Sequence, residues 1–128
     1  NHVSSFVYEN LGKPMICMVD LNDTLYDADI SNGCVNYYRM SGFHSLIKSC
    51  GLFDIGYSGP AYTWRNRQHT TNPIYRRLDR CLVNADWCAH YPNTKVLNLP
   101  IILSDHAPIL ISTDDNFSKP KKIFKFQN

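Results

Sequence analysis

The sequence predicts a mixed α/β or α+β domain in which short strands are interrupted by two helices. Apolar runs of strand length end at polar residues, and one longer segment has its apolar residues at helical spacing. Clusters of Gly, Pro, Asn and Asp separate these elements. The 128 residues are enough for one hydrophobic core. We expect residues 1–113 to form the domain and residues 114–128, with their four lysines, to form a basic linker or tail.

The first predicted strand is the apolar run 14–19, which leads directly into Asp20. Its residues are continuously apolar and the run stops short of helical length, which is typical of a buried strand. The following segment, 21–33, is rich in Asp, Asn, Ser and Gly and is predicted to be a loop.

The segment 35–50 is predicted to be a helix. Its apolar residues recur at helical spacing: Met40, Phe43, Ile47 and Cys50. Gly51 then stands where a left-handed C-terminal cap belongs. Residues 52–55 predict a short strand, and the glycines and proline of 56–60 predict a turn after it.

The second half of the chain predicts a long hairpin followed by a short helix and two more strands. The hairpin strands are 61–64 and 75–83, joined by a polar loop. Asn84 is a suitable N-cap for the helix. Residues 94–99 and 108–112 complete the set of strands.

The charge balance is nearly even, since Lys and Arg outnumber Asp and Glu by only 13 to 11. Net charge alone therefore predicts no polyanionic partner. Five arginines lie between Arg65 and Arg80, and both a solvated face and contacts to phosphate groups are consistent with them. No apolar run approaches the roughly 20 residues of a membrane span, so we expect no membrane partner.

The five cysteines are odd in number and include no C-x-x-C pair. This pattern favours reduced thiols in an intracellular protein over a disulfide framework or a zinc site. The chain begins at Asn1 rather than Met and carries no signal-peptide pattern. We therefore expect it to be part of a longer protein.

Asp20 and Asn22 form the first candidate site. If the strand continues through them, residues two apart leave on the same face, and a carboxylate and an amide converge. Such a pair can provide a base or metal anchor together with a donor for a phosphate oxygen. The alternative is a turn, because Asp and Asn often bind their own backbone.

Ser104, Asp105 and His106 form the second candidate site, at the end of another apolar run. The histidine can change charge near neutral pH, and Asp79 is a candidate to orient its imidazole. Asp105 offers the hard oxygen ligands that Mg²⁺ prefers. Turn chemistry is again the alternative, and the three neighbours cannot form a hydrolase triad among themselves, because adjacent residues of an extended chain point to opposite sides.

Four motifs, taken in order, resemble the endonuclease/exonuclease/phosphatase superfamily. They are Asp20-Leu21-Asn22, Tyr62-Thr63-Trp64, Arg77-Leu78-Asp79-Arg80 and Ser104-Asp105-His106. More narrowly, residues 50–60 and 64–106 resemble the endonuclease domain of plant LINE-type (non-LTR) retrotransposons. Residues 122–126 are similar to the segment that leads from that endonuclease toward the reverse transcriptase, so the resemblance extends over 14–126.

This resemblance implies that residues 1–113 are the C-terminal portion of a two-sheet α/β sandwich with outer helices and a site at one rim. The implied activity is hydrolysis of a DNA phosphodiester with Mg²⁺, or Mn²⁺ as the alternative, by in-line attack of water. The implied partners are DNA and a reverse transcriptase segment C-terminal to this domain. A nuclear location follows if DNA is the substrate.

The resemblance also implies roles for individual residues. Asp20 would help to activate the water, and Asn22 would hold a phosphate oxygen or that water. His106, oriented by Asp79, would stabilise charge that develops on the phosphoryl oxygens.

Metal and substrate contacts are implied for three residues. Asp105 would assist the metal site, while Asn22 and Arg77 would contact the substrate.

The chain departs from the family pattern in two ways. Val19 stands where the family has a glycine, which predicts crowding beside Asp20. The family's N-terminal half carries a glutamate metal ligand, whereas Glu9 is the only glutamate of this chain and does not match it. We therefore expect the chain by itself to be poorly active or inactive. The alternatives are a non-catalytic remnant that binds nucleic acid or protein, and a phosphatase of the same superfamily.

Overall fold

The computed structural model describes Ser5, residues 8–66 and residues 72–113, which contain three small antiparallel sheets, two α-helices with defined ends, and helical residues at Ser5, Tyr8 and Glu9. The strands are β1 (Ile16–Asp20), β2 (Phe53–Asp54), β3 (Trp64–Arg65), β4 (Tyr75–Arg76), β5 (Asp79–Val83), β6 (Lys95–Asn98) and β7 (Ile109–Ser112). The helices are α1 (Tyr37–Ser49) and α2 (Ala85–His90), with a 3₁₀ turn at Asp27–Asp29. The predicted α+β class is confirmed. The predicted tail, 114–128, lies outside the described residues.

The central sheet has the strand order β1-β5-β2, with both pairs antiparallel. Strand β5 lies in the middle, and its residues from Arg80 to Val83 are all buried. The register places Ile16 opposite Val83 and Asp20 opposite Asp79. The polar ends of the two longest strands therefore meet at one end of the sheet.

Apolar side chains cover both faces of this sheet. On one face, Met15 and Leu82 form a cluster against which Leu46 and Ile47 of α1 pack. On the other face, Cys81 and Val83 join Val96 of β6, with further apolar residues packed around them: Ile16, Ile55, Trp87, Cys88 and Ile111. Because side chains alternate along a strand, α1 packs on one face of the sheet, and β6, β7 and α2 pack on the other.

Both helices begin at an asparagine cap, of which Asn84 was predicted from the sequence and Asn36 was not. The side chain of Asn36 accepts the Arg39 N–H at the start of α1, and that of Asn84 accepts the Trp87 N–H at the start of α2. The predicted cap at the end of α1 is confirmed by Gly51, whose φ of 67° is in the left-handed region. These ends depend on local hydrogen bonds, which is why the sequence predicts them well.

The predicted hairpin is only partly right. Strands β3 and β4 pair as expected, but the run 75–83 divides into β4 and β5, which belong to different sheets. The physical reason lies in Thr63, whose Oγ1 accepts the N–H groups of Leu78 and Asp79 at 2.9 and 3.1 Å. These hydrogen bonds replace the ladder and let the chain turn toward β1.

A buried ion network ties the predicted loop 21–33 to the central sheet. Arg80 is fully buried and donates to Asp29 Oδ2 at 2.7 Å. The same oxygen accepts the N–H groups of Leu25 and Tyr26, each at 3.0 Å. Burial lowers the pKa of Arg80, whereas the negative charges of Asp29 and Asp54 act in the opposite direction. Sequence reasoning missed this network, because its partners lie 51 positions apart.

Neither helix in the described ranges has the length and apolar character needed to cross a bilayer.

Candidate functional site

Asp20 and Asp79 are cross-strand partners at the polar end of the central sheet. Directly opposed residues of an antiparallel pair place their side chains on the same face. The same face carries Ile16 and Val83, which are cross-strand partners at the other end of β1 and β5. The two carboxylates therefore lie next to each other, beyond the apolar part of the sheet.

His106 completes a group of three with these carboxylates. Its Nδ1 lies 2.8 Å from Asp79 Oδ2, and its Nε2 lies 3.8 Å from Asp20 Oδ2. One donor atom from each of the three residues lies within 4.8 Å of the others. The side chains are 34% exposed for His106, 18% for Asp79 and 44% for Asp20. The cluster is therefore open to solvent on the Asp20 side.

The main chain holds His106 in this position. A backbone bridge pairs His106 with Trp64, and the Ala107 N–H donates to the Thr63 carbonyl at 2.7 Å. The same Thr63 holds the Asp79 N–H through its hydroxyl oxygen. Thr63 is fully buried, so one residue fixes both sides of the histidine–aspartate contact. Sequence reasoning gave Thr63 no separate role; its signal was its place within the Tyr62-Thr63-Trp64 motif.

The electrostatics of the cluster favour the imidazolium. Partial burial disfavours the charged ring, but the hydrogen bond to Asp79 and the negative charges of Asp79, Asp20 and Asp105 outweigh it and raise the pKa of His106. Because a carboxylate can only accept, Nδ1 carries the hydrogen of this contact. In the neutral ring Nε2 then has its lone pair on the Asp20 side, where it can take up a proton.

The strand does not continue from Asp20 to Asn22, so the condition for a shared face is not met. Strand β1 ends at Asp20, and Asn22 has a φ of 55°. Its N–H donates to Asp20 Oδ1 at 2.8 Å, which is the turn that the sequence left open as the alternative. Asp20 thus uses one oxygen for the turn and presents the other toward His106. The Asn22 side chain itself is exposed.

Asp105 lies beside the cluster but is not one of its three members. Its Oδ1 accepts the hydroxyl of Ser104 at 3.2 Å, and the Ser104 oxygen accepts the His106 N–H at 3.3 Å. Its charge contributes to the raised pKa of His106. The expected turn chemistry is therefore present, together with a carboxylate close enough to act on the imidazole.

Arg77 and Val19 lie away from the cluster. The Arg77 guanidinium is buried, pairs with Asp54 at 3.1 Å and lies over the ring of Tyr57 at 4.4 Å. Val19 packs in the apolar cluster that faces α1. Because successive residues of a strand alternate, Val19 leaves β1 on the face opposite Asp20 and does not crowd it.

Asp20 and Asp105 offer carboxylate oxygens, which are the ligand type that magnesium prefers. Mg²⁺ takes one or two protein carboxylates and completes its shell with water and phosphate oxygens. Structural zinc sites instead use four nitrogen or sulfur ligands, whereas Asp20 and Asp105 offer carboxylate oxygens. The arrangement can hold a proton at Nε2 and present negative oxygens to a cation.

A scan against protein-family models finds no match for this chain. A search of curated proteins finds no significant similarity either.

Proposed function

We propose that the cluster of Asp20, Asp79 and His106 is one side of the active site of a metal-dependent phosphodiesterase that acts on DNA. The convergence of these residues from three separate segments is the observation that carries the proposal. Sequence positions 20, 79 and 106 are far apart, and a purely structural turn at each would not require them to meet. The motifs that carry them, taken in order, also resemble those of the endonuclease/exonuclease/phosphatase superfamily.

In this proposal His106 acts on the phosphoryl oxygens of the substrate. Asp79 fixes the ring through Nδ1 and favours its protonated form, in which Nε2–H can donate to a negative oxygen. A charge-assisted hydrogen bond of this kind becomes stronger as the oxygens gain charge in the transition state. The raised pKa favours the protonated form of the ring, in which Nε2 is a donor.

Asp20 is placed to act on water. Its Oδ2 is directed toward His106 Nε2, and its side chain is partly open to solvent. A carboxylate in this position can accept a hydrogen bond from a water molecule and orient it for in-line attack. The exposed amide of Asn22, on the turn that Asp20 closes, is proposed to contact a phosphate oxygen.

Asp105 and Asp20 are the proposed ligands for Mg²⁺, or for Mn²⁺ in its place. When bound, this cation supplies positive charge that neutralises the phosphoryl oxygens and the leaving oxygen. Glu9, the single glutamate, belongs to no group of donor atoms found among the described residues. The proposal therefore assigns a further metal carboxylate to a preceding half-domain, which would also complete the two-sheet sandwich.

The test is a plasmid-nicking assay with two proteins, the 128-residue chain and the same chain joined to the N-terminal half of a LINE-type endonuclease. We expect little or no nicking by the chain alone in Mg²⁺, and Mg²⁺-dependent nicking by the joined protein. Replacing His106 by Ala in the joined protein should reduce the rate by about 10²- to 10⁴-fold, the range for one such catalytic group.

A matched control is His90→Ala, because His90 ends α2 and bonds to the Asp86 carbonyl of the same helix. Nicking that survives His106→Ala would overturn the assignment of the cluster. Strong nicking by the 128-residue chain alone would show that no further carboxylate is needed.

A further inference from the structure

We propose that a groove beside Ser104 and Asp105 is a subsite for one unpaired nucleotide next to the phosphate that is cleaved. We call it the Arg65 groove; it consists of two adjoining cavities of about 250 and 290 Å³ that share Arg65 as a lining residue. In it, a base stacks on Tyr62 and Tyr75 while Arg65 binds a phosphate. This inference rests on the proposed function and extends it to substrate binding.

The groove is continuous with the candidate site. Ser104 and Asp105 line its first cavity together with Arg65. The Arg65 N–H donates to the Asp105 carbonyl at 2.9 Å, and the neighbouring Trp64 is bridged to His106. A DNA strand that has one phosphate at His106 can therefore place its next nucleotide in the groove while it stays on the protein surface.

The second cavity has walls suited to a base. Tyr62 and Tyr75 both line it, with their ring centroids 5.9 Å apart and their planes at 32° to each other, so two aromatic rings lie close together in its wall. Pro100 and Ile101 line the same cavity. Stacking on aromatic rings tolerates any base, because every base has a π-face. Neither cavity has the volume for a duplex, and each is of the order of a single base.

The charged residues of the groove favour one position for a phosphate group. Asp105 repels phosphate at the end next to His106 unless a cation is bound there, while Arg65 attracts phosphate at the junction of the two cavities. Leu103, 89% exposed, and Ile102 stand at the rim, where apolar side chains can contact an unstacked base. A cation flanked by aromatic and apolar walls is the usual composition of a single-strand binding groove.

The experiment measures binding of the 128-residue chain to a fluorescently labelled single-stranded oligonucleotide of about 12 nucleotides. Anisotropy is recorded over a series of salt concentrations without Mg²⁺. Arg65→Gln should weaken binding at least about 5-fold and reduce the slope of log affinity against log salt by about 0.7, the value for one phosphate contact on a single strand.

Tyr75→Leu should weaken binding about 5- to 100-fold with an unchanged salt slope, because it removes stacking and no charge. The same variant should have little effect on an oligonucleotide that lacks its bases. Far-UV circular dichroism confirms that each variant is folded.

Arg39→Gln and Lys48→Gln are the charge controls. Both residues belong to α1, which packs on the face of the sheet opposite Asp20, and both variants should bind like the unchanged chain. Equal losses from Arg65→Gln and the control variants would overturn the subsite. So would an undiminished affinity in Tyr75→Leu, or no binding of the oligonucleotide by the unchanged chain.

These outcomes are separable from the cleavage assay. Binding that depends on Arg65 and Tyr75, with no nicking by the joined protein, would support the groove and reject the proposed reaction. Nicking that depends on His106, together with binding that does not change in the Arg65 and Tyr75 variants, would support the proposed reaction and reject the groove.

Discussion

The hydroxyl oxygen of Thr63 accepts the backbone N–H of Asp79 at 3.1 Å. The Thr63 carbonyl accepts the N–H of Ala107, which follows His106 directly. One fully buried residue thus connects the strand that carries the aspartate with the segment that carries the histidine. The geometry of the candidate site depends on a residue that has no contact with the reacting groups.

Replacement of Thr63 by Val should test this dependence. Valine has the same shape but leaves the Leu78 and Asp79 N–H groups without their acceptor, at a cost of about 1–3 kcal/mol in the free energy of unfolding. We also expect the pKa of His106 to fall, because Asp79 is held less firmly. Urea unfolding and NMR titration measure the two effects. Thr63→Ser keeps the oxygen and should restore both values, and a Ser variant as impaired as Val would contradict this role.

The pKa of His106 should respond to its two carboxylate neighbours in a fixed order. We expect NMR titration to give a value above the usual 6.5, because the contacts with Asp79, Asp20 and Asp105 outweigh the effect of burial. Asp79→Asn should lower this value most, since it removes both charge and the 2.8 Å contact. Asp20→Asn, at 3.8 Å, should lower it less. An unchanged titration in Asp79→Asn would exclude Asp79 as the orienting residue.

His106 should also make the stability of the fold depend on pH. A pKa that is higher in the folded than in the unfolded chain stabilises the fold below the unfolded value of about 6.5, and this stabilisation is lost as pH rises through the folded value. The difference in unfolding free energy between the unchanged chain and His106→Gln should therefore be largest in mild acid and shrink toward alkaline pH. Denaturant titrations between about pH 5 and 9 measure this difference. A difference that grows with pH would contradict a raised pKa of His106 in the folded chain.

The contact between Arg80 and Asp29 should be far more important for stability than the one between Arg39 and Asp23. Asp29→Asn leaves the fully buried guanidinium without its 2.7 Å carboxylate and should cost about 3–5 kcal/mol. Asp23→Asn removes a partner of the exposed Arg39 and should cost less than about 1 kcal/mol. Chemical denaturation compares the two. Similar costs would mean that the buried network is solvated.

Cysteine reactivity should separate Cys81 from Cys34. Burial, with smaller contributions from the charges of Asp54 and Cys17, raises the pKa of Cys81 to about 11. At pH 8 only about one thiol in a thousand is then ionised, and the thiolate is the reactive form. Cys34 is exposed and should be alkylated by iodoacetamide first, as read by mass spectrometry of peptides. Denaturant should abolish the difference, and early labelling of Cys81 in the native chain would contradict its burial.

The local signals of the sequence determined the class of the fold and the ends of its helices. Asn36, Asn84 and Gly51 act on backbone groups within four residues of themselves, so their effect depends little on the rest of the chain. The apolar run before Asp20 predicted β1, because a short run of continuously apolar residues is typical of a buried strand. The candidate residues Asp20, Asp79 and His106 were also named from the sequence, with Asp79 as the residue that orients the imidazole of His106.

The tertiary structure decided which of those residues meet. The register that places Asp20 opposite Asp79, and the Thr63 hydrogen bonds that divide 75–83 into two strands, join segments that are distant in the sequence. It also decided that β1 ends at Asp20 and that the chain turns there, with the Asn22 N–H donating to the Asp20 carboxylate. Pairing between distant strands depends on the packing of the whole core, and no short stretch of sequence carries that information.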